Sequence, residues 1–524
     1  MKSIALYFLL SIFGVESARI LGVFPMPSIS HQVVFRALSM ELARRGHELV
    51  IITTDPALPK NRPKDNITEI DISRSYQLLR KFDEYAEKTQ PIQKRGVISG
   101  VEIMISEHAA GAMFMLMAEV FNSEEVNQLL QDKNQKFDLI ISEAIMSFHL
   151  IIGKIFNAPV ILFSSLYGLP ETFETVGAVT RHPILYPHLF RNKFTDLTLF
   201  EKIREVYYEA RLTLLYWGLQ NAENNYLKSR FGENAPTVQQ LRENVCMVFL
   251  NSFPLFDNNR PVPPNVVYLG ALHLQPVKEL PEDLKTYLDN SKRGVVYASL
   301  GTNVRASAMS KEFLETFIKA FEALPYDILW KFDGDDIKAF PKNVRVQKWF
   351  PQRDLLVHPN IVAFVTQGGL QSTDEAIDAG VPLVGIPLIA DQWYNVNKYK
   401  ELGIGISLDS FTVNAEELAQ AVKTVATDKS FKKNIAKIKT LMHDQPLKPL
   451  ERAVWWTEHV LRNGGSKHLR SPAANMNYSE YFMLDVVLAL LVLFFTVISI
   501  LALIAYKLFG ILKKMTFSGK LKSS

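Results

Sequence analysis

Residues 19–53 read RILGVFPMPSISHQVVFRALSMELARRGHELVIIT, and their pattern decides the architecture. Arg19–Phe24 is a short apolar run followed by a Pro/Ser loop, Pro25–Ser30. Val33, Val34, Ala37, Leu38 and Leu42 then recur at helical spacing, and Gly46 closes the helix. His47–Thr53 is the next apolar run. Strand, helix and strand at this spacing predict a βαβ unit on a parallel sheet.

The pattern repeats outward. Phe137–Ser142, a helix predicted from Ala144, and Val160–Ser164 form a second such unit. The stretch between, Val101–Phe121, is Met-rich and apolar and reads as core or as the lining of a pocket for greasy ligands. Four prolines in Phe253–Asn265, then Pro276 and Pro281, place an interdomain connection across 256–292. A second α/β series follows, with strands expected at Gly294–Leu300, Asp327–Phe332, Val344–Trp349, Ile361–Thr366 and Pro382–Pro387. Two α/β halves joined this way leave a cleft between the carboxyl ends of their strands, where open sheets bind ligands. The segment His443–Arg470 is helical and basic-aromatic in pattern.

Composition excludes several classes. With 48% apolar and 21% charged residues among 524, the chain is neither disordered nor low-complexity. The net charge of +4 is a property of the end: five lysines fall within 507–524, and the body without 1–18 and that tail is near neutral. No nucleic-acid partner is implied.

Residues 1–18, with Lys2 before an apolar run and Ser17-Ala18 after it, read as a cleavable signal peptide. Val486–Tyr506 carries no charge and is long enough to span a bilayer. Glu480 and Asp485 precede it and Lys507, Lys513 and Lys514 follow, which puts the 507–524 tail in the cytosol and the body in the lumen. Lys520-Leu521-Lys522-Ser523-Ser524 has the form of a K-x-K-x-x endoplasmic-reticulum retrieval signal. Cys246 is the single cysteine, so no internal disulfide or cysteine zinc site can form. The glycosylation sequons begin at Asn66 and Asn477, of which Asn66 is the usable one.

The chemistry concentrates in FVTQGGLQSTDEAIDAGVPLVGIPLIADQWYN, Phe364–Asn395. A strand ending at Thr366 meets Gly368-Gly369 and a helix over Leu370–Ala379, a turn that brings backbone N–H groups to an anion, although plain βα loops share it. Ser372 and Thr373 add hydroxyls in the first helical turn. Asp391-Gln392 follows the next strand and suits neighbouring hydroxyls, and Trp349 offers a face for a base. Phosphate, hydroxyls and base together describe a nucleotide sugar. Asp333-Gly334-Asp335 matches D-x-D but reads as a surface turn, and no His or Cys cluster supplies a metal site.

Trp349 through Gln392 resembles the signature box of the UDP-glycosyltransferases, inverting enzymes of the two-domain GT-B fold. The stretches at Ser299–Thr302, Trp330–Gly334, Lys348–Gln352 and His443–Pro446 agree with it. Thr366–Gly369 and Asp391–Tyr394 resemble the moth and butterfly enzymes and the ecdysteroid glucosyltransferases of insect viruses. The resemblance implies two Rossmann-like parallel-sheet domains facing across a cleft: an acceptor domain at 19–255 and a UDP-sugar domain at 293–442. Returning helices at 443–485 and one transmembrane helix at 486–506 follow.

The same resemblance assigns roles. Trp349 would stack on uracil, while Gln352 and Glu375 would bind the ribose. Ser372 and the amides around Gly369 would hold the diphosphate, helped by Thr302, and Asp391 and Gln392 would hold the sugar. His31 would be the general base and Glu143 its acidic partner, where many relatives carry the shorter Asp. Gln367 stands where most of the family has a diphosphate-contacting His, so weaker donor binding is expected. UDP-sugar is then a co-substrate, with glucose preferred, and no metal or other cofactor is expected. The acceptor would be a small lipophilic hydroxyl compound met by segments 85–125 and 167–220, where Phe173, Tyr186, Phe190, Phe194, Tyr207, Tyr208 and Trp217 suit a hydrophobic pocket or a membrane surface. A weakly catalytic binding protein for UDP-sugar or lipophiles is the rival on the same fold. The sequence leaves a homo-oligomer open.

Overall fold

The computed structural model describes residues 17–58, 66–89, 107–191, 193–302, 309–334 and 340–520. The signal-peptide reading therefore lies almost wholly outside the described residues, as do Asp335 and the last four residues of the lysine tail. The chain forms a large unit up to Ser471 and a small one from Pro472.

The large unit holds two parallel sheets. The first comprises β1 (Arg19–Phe24), β2 (Glu48–Thr53), β3 (Ile67–Asp71), β4 (Leu139–Glu143), β5 (Val160–Ser164), β6 (Val245–Leu250) and β7 (Val266–Tyr268), ordered β3-β2-β1-β4-β5-β6-β7. The second comprises β8 (Val295–Ser299), β9 (Asp327–Lys331), β10 (Val344–Gln347), β11 (Ile361–Thr366), β12 (Leu383–Gly385) and β13 (Gly405–Ser407), ordered β10-β9-β8-β11-β12-β13. The winding direction reverses between β1 and β4 in one sheet and between β8 and β11 in the other. Both reversals open a crevice at the strands' carboxyl ends. Val23 pairs with Ser142 and Ser299 with Thr366, which fixes the depth of each crevice.

Central strands such as β5 and β6 are buried on every residue, because helices cover both faces. Helix α1 (Ile29–Arg44) turns Val34, Phe35, Leu38 and Leu42 onto the first sheet. Gly46 ends that turn at φ +97°, a conformation glycine adopts freely.

Three differences from the sequence reading have physical causes. β7 lies inside the predicted connection 256–292: its three residues form an edge strand after the prolines and extend the first domain to Tyr268. The segment after Glu143 is a turn and a 3₁₀ helix, Ser147–Leu150, before α-helix begins at Ile151. β3, β6 and β13 also enlarge the sheets beyond the strands read from sequence.

The chain leaves the first domain beyond β7 and returns to it at the end of the large unit. The helix Pro449–Asn463 packs Ala453, Val454 and Val460 into the core under β1 and α1. Arg452 links the two passages, its guanidinium donating to the Tyr268 carbonyl at 2.9 Å and to Gln445 Oε1 at 3.0 Å. The small unit contains a helix from Leu484 to Lys520, of which Leu484–Lys513 is long and apolar enough to cross a membrane.

Candidate active site

The first crevice is built from a histidine and a carboxylate. His31 sits in the first turn of α1, just beyond the end of β1, and Glu143 is the last residue of β4. His31 Nδ1 lies 2.7 Å from Glu143 Oε1, and the two side chains are 13% and 1% exposed. Glu143 Oε2 accepts the Met26 backbone N–H at 3.1 Å. The extra methylene of Glu is thus taken up inside the crevice, and the carboxylate reaches the ring. A carboxylate on Nδ1 fixes the tautomer and leaves Nε2 as the basic nitrogen.

Gln32 holds the loop that carries this pair. Its amide nitrogen donates to the Phe24 and Met26 carbonyls at 3.0 and 2.9 Å, and its oxygen accepts from Thr53 Oγ1 at 2.8 Å. Sequence reasoning missed Gln32, since nothing in its spacing marks a buried amide that braces a loop.

The second crevice is built largely from backbone. After β11 the chain passes through Gln367, Gly368 and Gly369 into helix α2 (Leu370–Ala379), with Gly369 at its N-cap. Gly368 has φ +89°, and a Cβ there would meet Val396 Cγ2 at 2.3 Å. Gly301, at φ +81° beyond β8, lies under the Gln367 amide: a Cβ would fall 2.1 Å from Nε2. Only glycine lets these two loops touch. Gln367 Oε1 is buried without a hydrogen-bond partner in the structure.

Gln352 ties the next group together. Its amide nitrogen donates to Ser372 Oγ at 2.9 Å and Glu375 Oε2 at 2.7 Å, and its oxygen accepts from Tyr297 at 3.2 Å. Burial pushes the Glu375 carboxyl up, and the Gln352 bond opposes it. Thr373 points elsewhere, because its hydroxyl donates back to the Gly369 carbonyl at 2.9 Å and meets the Tyr399 hydroxyl in the core. The expected pair of first-turn hydroxyls is therefore Ser372 alone. Trp349 is 61% exposed with the Lys331 ammonium 5.5 Å from its ring centre, and Lys331 also donates to the Gly301 carbonyl at 2.5 Å. Thr302 is exposed beside Gly301.

Asp391 and Gln392 open helix α3 (Gln392–Leu402) after a left-handed Ala390, φ +53°. Gln392 Oε1 accepts the Leu388 and Ile389 N–H groups, both at 2.9 Å, so its oxygen closes the loop and only its amide hydrogens remain for a ligand. Asp391 Oδ2 accepts from Asn395 at 2.8 Å. Burial raises the Asp391 carboxyl, while the Asn395 bond and the charge of His31 act against it.

The aromatic residues expected at the acceptor separate into three environments. Phe173 is core beneath the Arg260 guanidinium, and Tyr186 and Phe194 line a cavity of about 290 Å³ with Ile184, Leu185, Tyr394 and Lys398. Tyr207 and Trp217 stand exposed on the long helix Leu199–Phe231. Among the described residues, no group of three His, Cys, Asp or Glu side chains could hold a metal ion.

Two doubly wound sheets with facing switch-point crevices define the GT-B class of glycosyltransferase. The large unit shares this fold with the glycotransferase of kitacinnamycin (TM-score 0.54, 17% identity, 86% of this chain and 99% of that one). It shares it also with the calicheamicin glycosyltransferase CalG4 (TM-score 0.51, 17% identity, the same coverage). Residues 19–518 match the family described as UDP-glucoronosyl and UDP-glucosyl transferase, and the chain belongs to that family. It is 42% identical to the ecdysteroid UDP-glucosyltransferase of Spodoptera littoralis nuclear polyhedrosis virus, over 95% of this chain and 98% of the viral one. It is 30% identical to UDP-glucosyltransferase 2 of Dactylopius coccus, over 91% of each chain. The protein is a glycosyltransferase that takes its sugar from a UDP donor.

Proposed function

We propose that the chain transfers glucose from UDP-glucose to a hydroxyl of a small lipophilic acceptor, with inversion and without a metal. The observation that carries this reading is the His31–Glu143 pair, 2.7 Å apart at the switch point of the first sheet.

Trp349 stacks on uracil, Gln352 and Glu375 engage the ribose, and Asp391 with the Gln392 amide grips the glucose hydroxyls. The amides at Gly369, with Ser372, Gln367 and Thr302, hold the diphosphate at the N-terminus of α2, where the helix dipole favours negative charge. The acceptor oxygen attacks the anomeric carbon as His31 Nε2 takes its proton, and the bond from that carbon to the diphosphate oxygen breaks on the opposite face. UDP departs with the electron pair. An α-linked donor gives a β-glycoside, and Glu143 stabilises the imidazolium until the proton is released.

The fold is anchored by the Leu484–Lys513 segment in the endoplasmic-reticulum membrane as a single-pass type I protein, with the sheets lumenal and the lysines cytosolic. Asn66 is exposed at the start of β3, φ 71°, and carries a glycan there. Endoglycosidase sensitivity that disappears with Asn66→Gln tests the topology, and an unglycosylated Asn66 contradicts it.

The decisive experiment is turnover by microsomes containing the chain, with UDP-glucose, UDP-glucuronic acid and UDP-N-acetylglucosamine and a panel of phenols, flavonoids and ecdysteroids. Glucoside formation that survives EDTA and disappears with His31→Ala is expected. Turnover undiminished in His31→Ala contradicts the mechanism, and loss with EDTA contradicts its metal independence.

A further inference from the structure

Behind Asp391 runs a buried polar chain that the reaction above does not use. Tyr167 lies just past β5, in a turn held by Ser164, whose hydroxyl donates to the Tyr167 carbonyl at 2.6 Å. Although it belongs to the first domain, Tyr167 packs in the core cluster of the second, edge-on to Tyr394 with ring centres 5.3 Å apart. Its hydroxyl bonds to Asn395 Oδ1 at 2.7 Å. Asn395 is 0% exposed, and its amide nitrogen donates to Asp391 Oδ2 and to the Gly368 carbonyl, both at 2.8 Å.

The polarity of this chain follows from which groups can donate. A carboxylate and a backbone carbonyl only accept, so the nitrogen of Asn395 must face both. Its oxygen must then face Tyr167, and the tyrosine hydroxyl must be the donor. Without that hydroxyl, Asn395 Oδ1 is a buried acceptor with nothing to accept, and the amide loses the contact that keeps its nitrogen towards Asp391. One asparagine thereby connects the acceptor domain, the glycine turn at the head of α2 and the Asp391 carboxylate.

We propose that Tyr167 and Asn395 are positioning residues through which the first domain aligns Asp391 for the donor sugar, so that the hexose is held fully only when the domains are docked. This rests on the reading of Asp391 as the sugar-binding carboxylate. UDP has no hexose, so a defect in this alignment separates sugar-donor binding from UDP binding, which a general structural defect does not do.

Tyr167→Phe keeps the ring and removes the hydroxyl. It is expected to raise KM for UDP-glucose about fivefold, the scale of one lost buried hydrogen bond. The inhibition constant of UDP, the acceptor KM and Tm should stay within about twofold or a degree or two of the parent. Asn395→Asp places a second carboxylate against Asp391 and against the Gly368 carbonyl, and should raise the same KM about tenfold or more, with a smaller loss of UDP affinity than of UDP-glucose affinity. If Tyr167→Phe does not fold, Asn395→Asp alone decides. An unchanged KM for UDP-glucose in the folded variants, or a parallel loss of UDP affinity, overturns the proposal. Asp391→Asn is the control: an effect there with none at Tyr167 or Asn395 removes the alignment alone, and no effect there removes the sugar role of Asp391 and the alignment with it.

Discussion

The two crevices occupy equivalent places in two similar sheets, yet they are made of different materials. At the end of β1 and β4 the working parts are side chains, a histidine and a glutamate drawn from positions far apart in the chain and joined at 2.7 Å. At the end of β8 and β11 the working parts are glycines, helix-terminal amides and a tight group of hydrogen-bonded polar side chains. In the proposed mechanism a proton moves in the first crevice, which calls for a group that changes charge. The proposed mechanism has the second hold an anion, and fixed dipoles can do that without themselves ionising.

The sharpest test of that contrast is His31→Ala, expected to lower kcat by about 10²–10⁴-fold, the scale of general-base catalysis. UDP should bind as before, as isothermal titration can check; joint loss of both would mean that the crevices are not separable. Next is Glu143→Gln, which keeps the shape and removes the charge. A drop in kcat of about 10- to 100-fold with unchanged KM for UDP-glucose is expected, because the carboxylate acts on the imidazolium of the transition state.

On the donor side, Asp391→Ala should raise KM for UDP-glucose about tenfold, the scale of a hydrogen bond to a charged group, while UDP inhibits as well as before. Steady-state inhibition gives both numbers, and equal loss of both would contradict a role confined to the sugar. The smallest effect belongs to Gln367→His. Adding a cationic donor beside the diphosphate should lower KM for the donor about two- to threefold, because the attraction gained is largely offset by the cost of burying an imidazolium. No change would mean that the backbone amides already satisfy the anion.

The same contrast explains what could be read from sequence. The donor crevice comes largely from residues 349–392, so its spacing is a local property: Ser372 was marked by its place in the first helical turn, and Gln352 and Glu375 by the resemblance of that box to the family's. β1, β5 and β11 begin and end where their apolar runs do. β6 had an equally clear signal, the uninterrupted VCMVFL run between two asparagines. β3 (ITEID) and β13 (GIS) had little, since edge strands are short and half polar and depend on a neighbour for their pairing.

Gln32, Tyr297 and Asn395 were not legible for a different reason. Each matters through a buried hydrogen bond whose partner is set by packing across the fold, and such a bond leaves no periodic trace. The orientation of Thr373 likewise follows from the position of Tyr399 one helix away.

The passage of the chain between the domains has a mechanical consequence. The polypeptide crosses out beyond Tyr268 and back before Pro449, and Arg452 fastens the two crossings to each other. His273 on the outward passage bonds to the Gln371 carbonyl of the second domain, and His443 before the return bonds to Asp378. Two crossings fastened side by side act as a book spine, holding the two domains together along one edge. The seam where the chain crosses is thereby tied at Arg452, and a cut at that side chain would loosen both crossings at once.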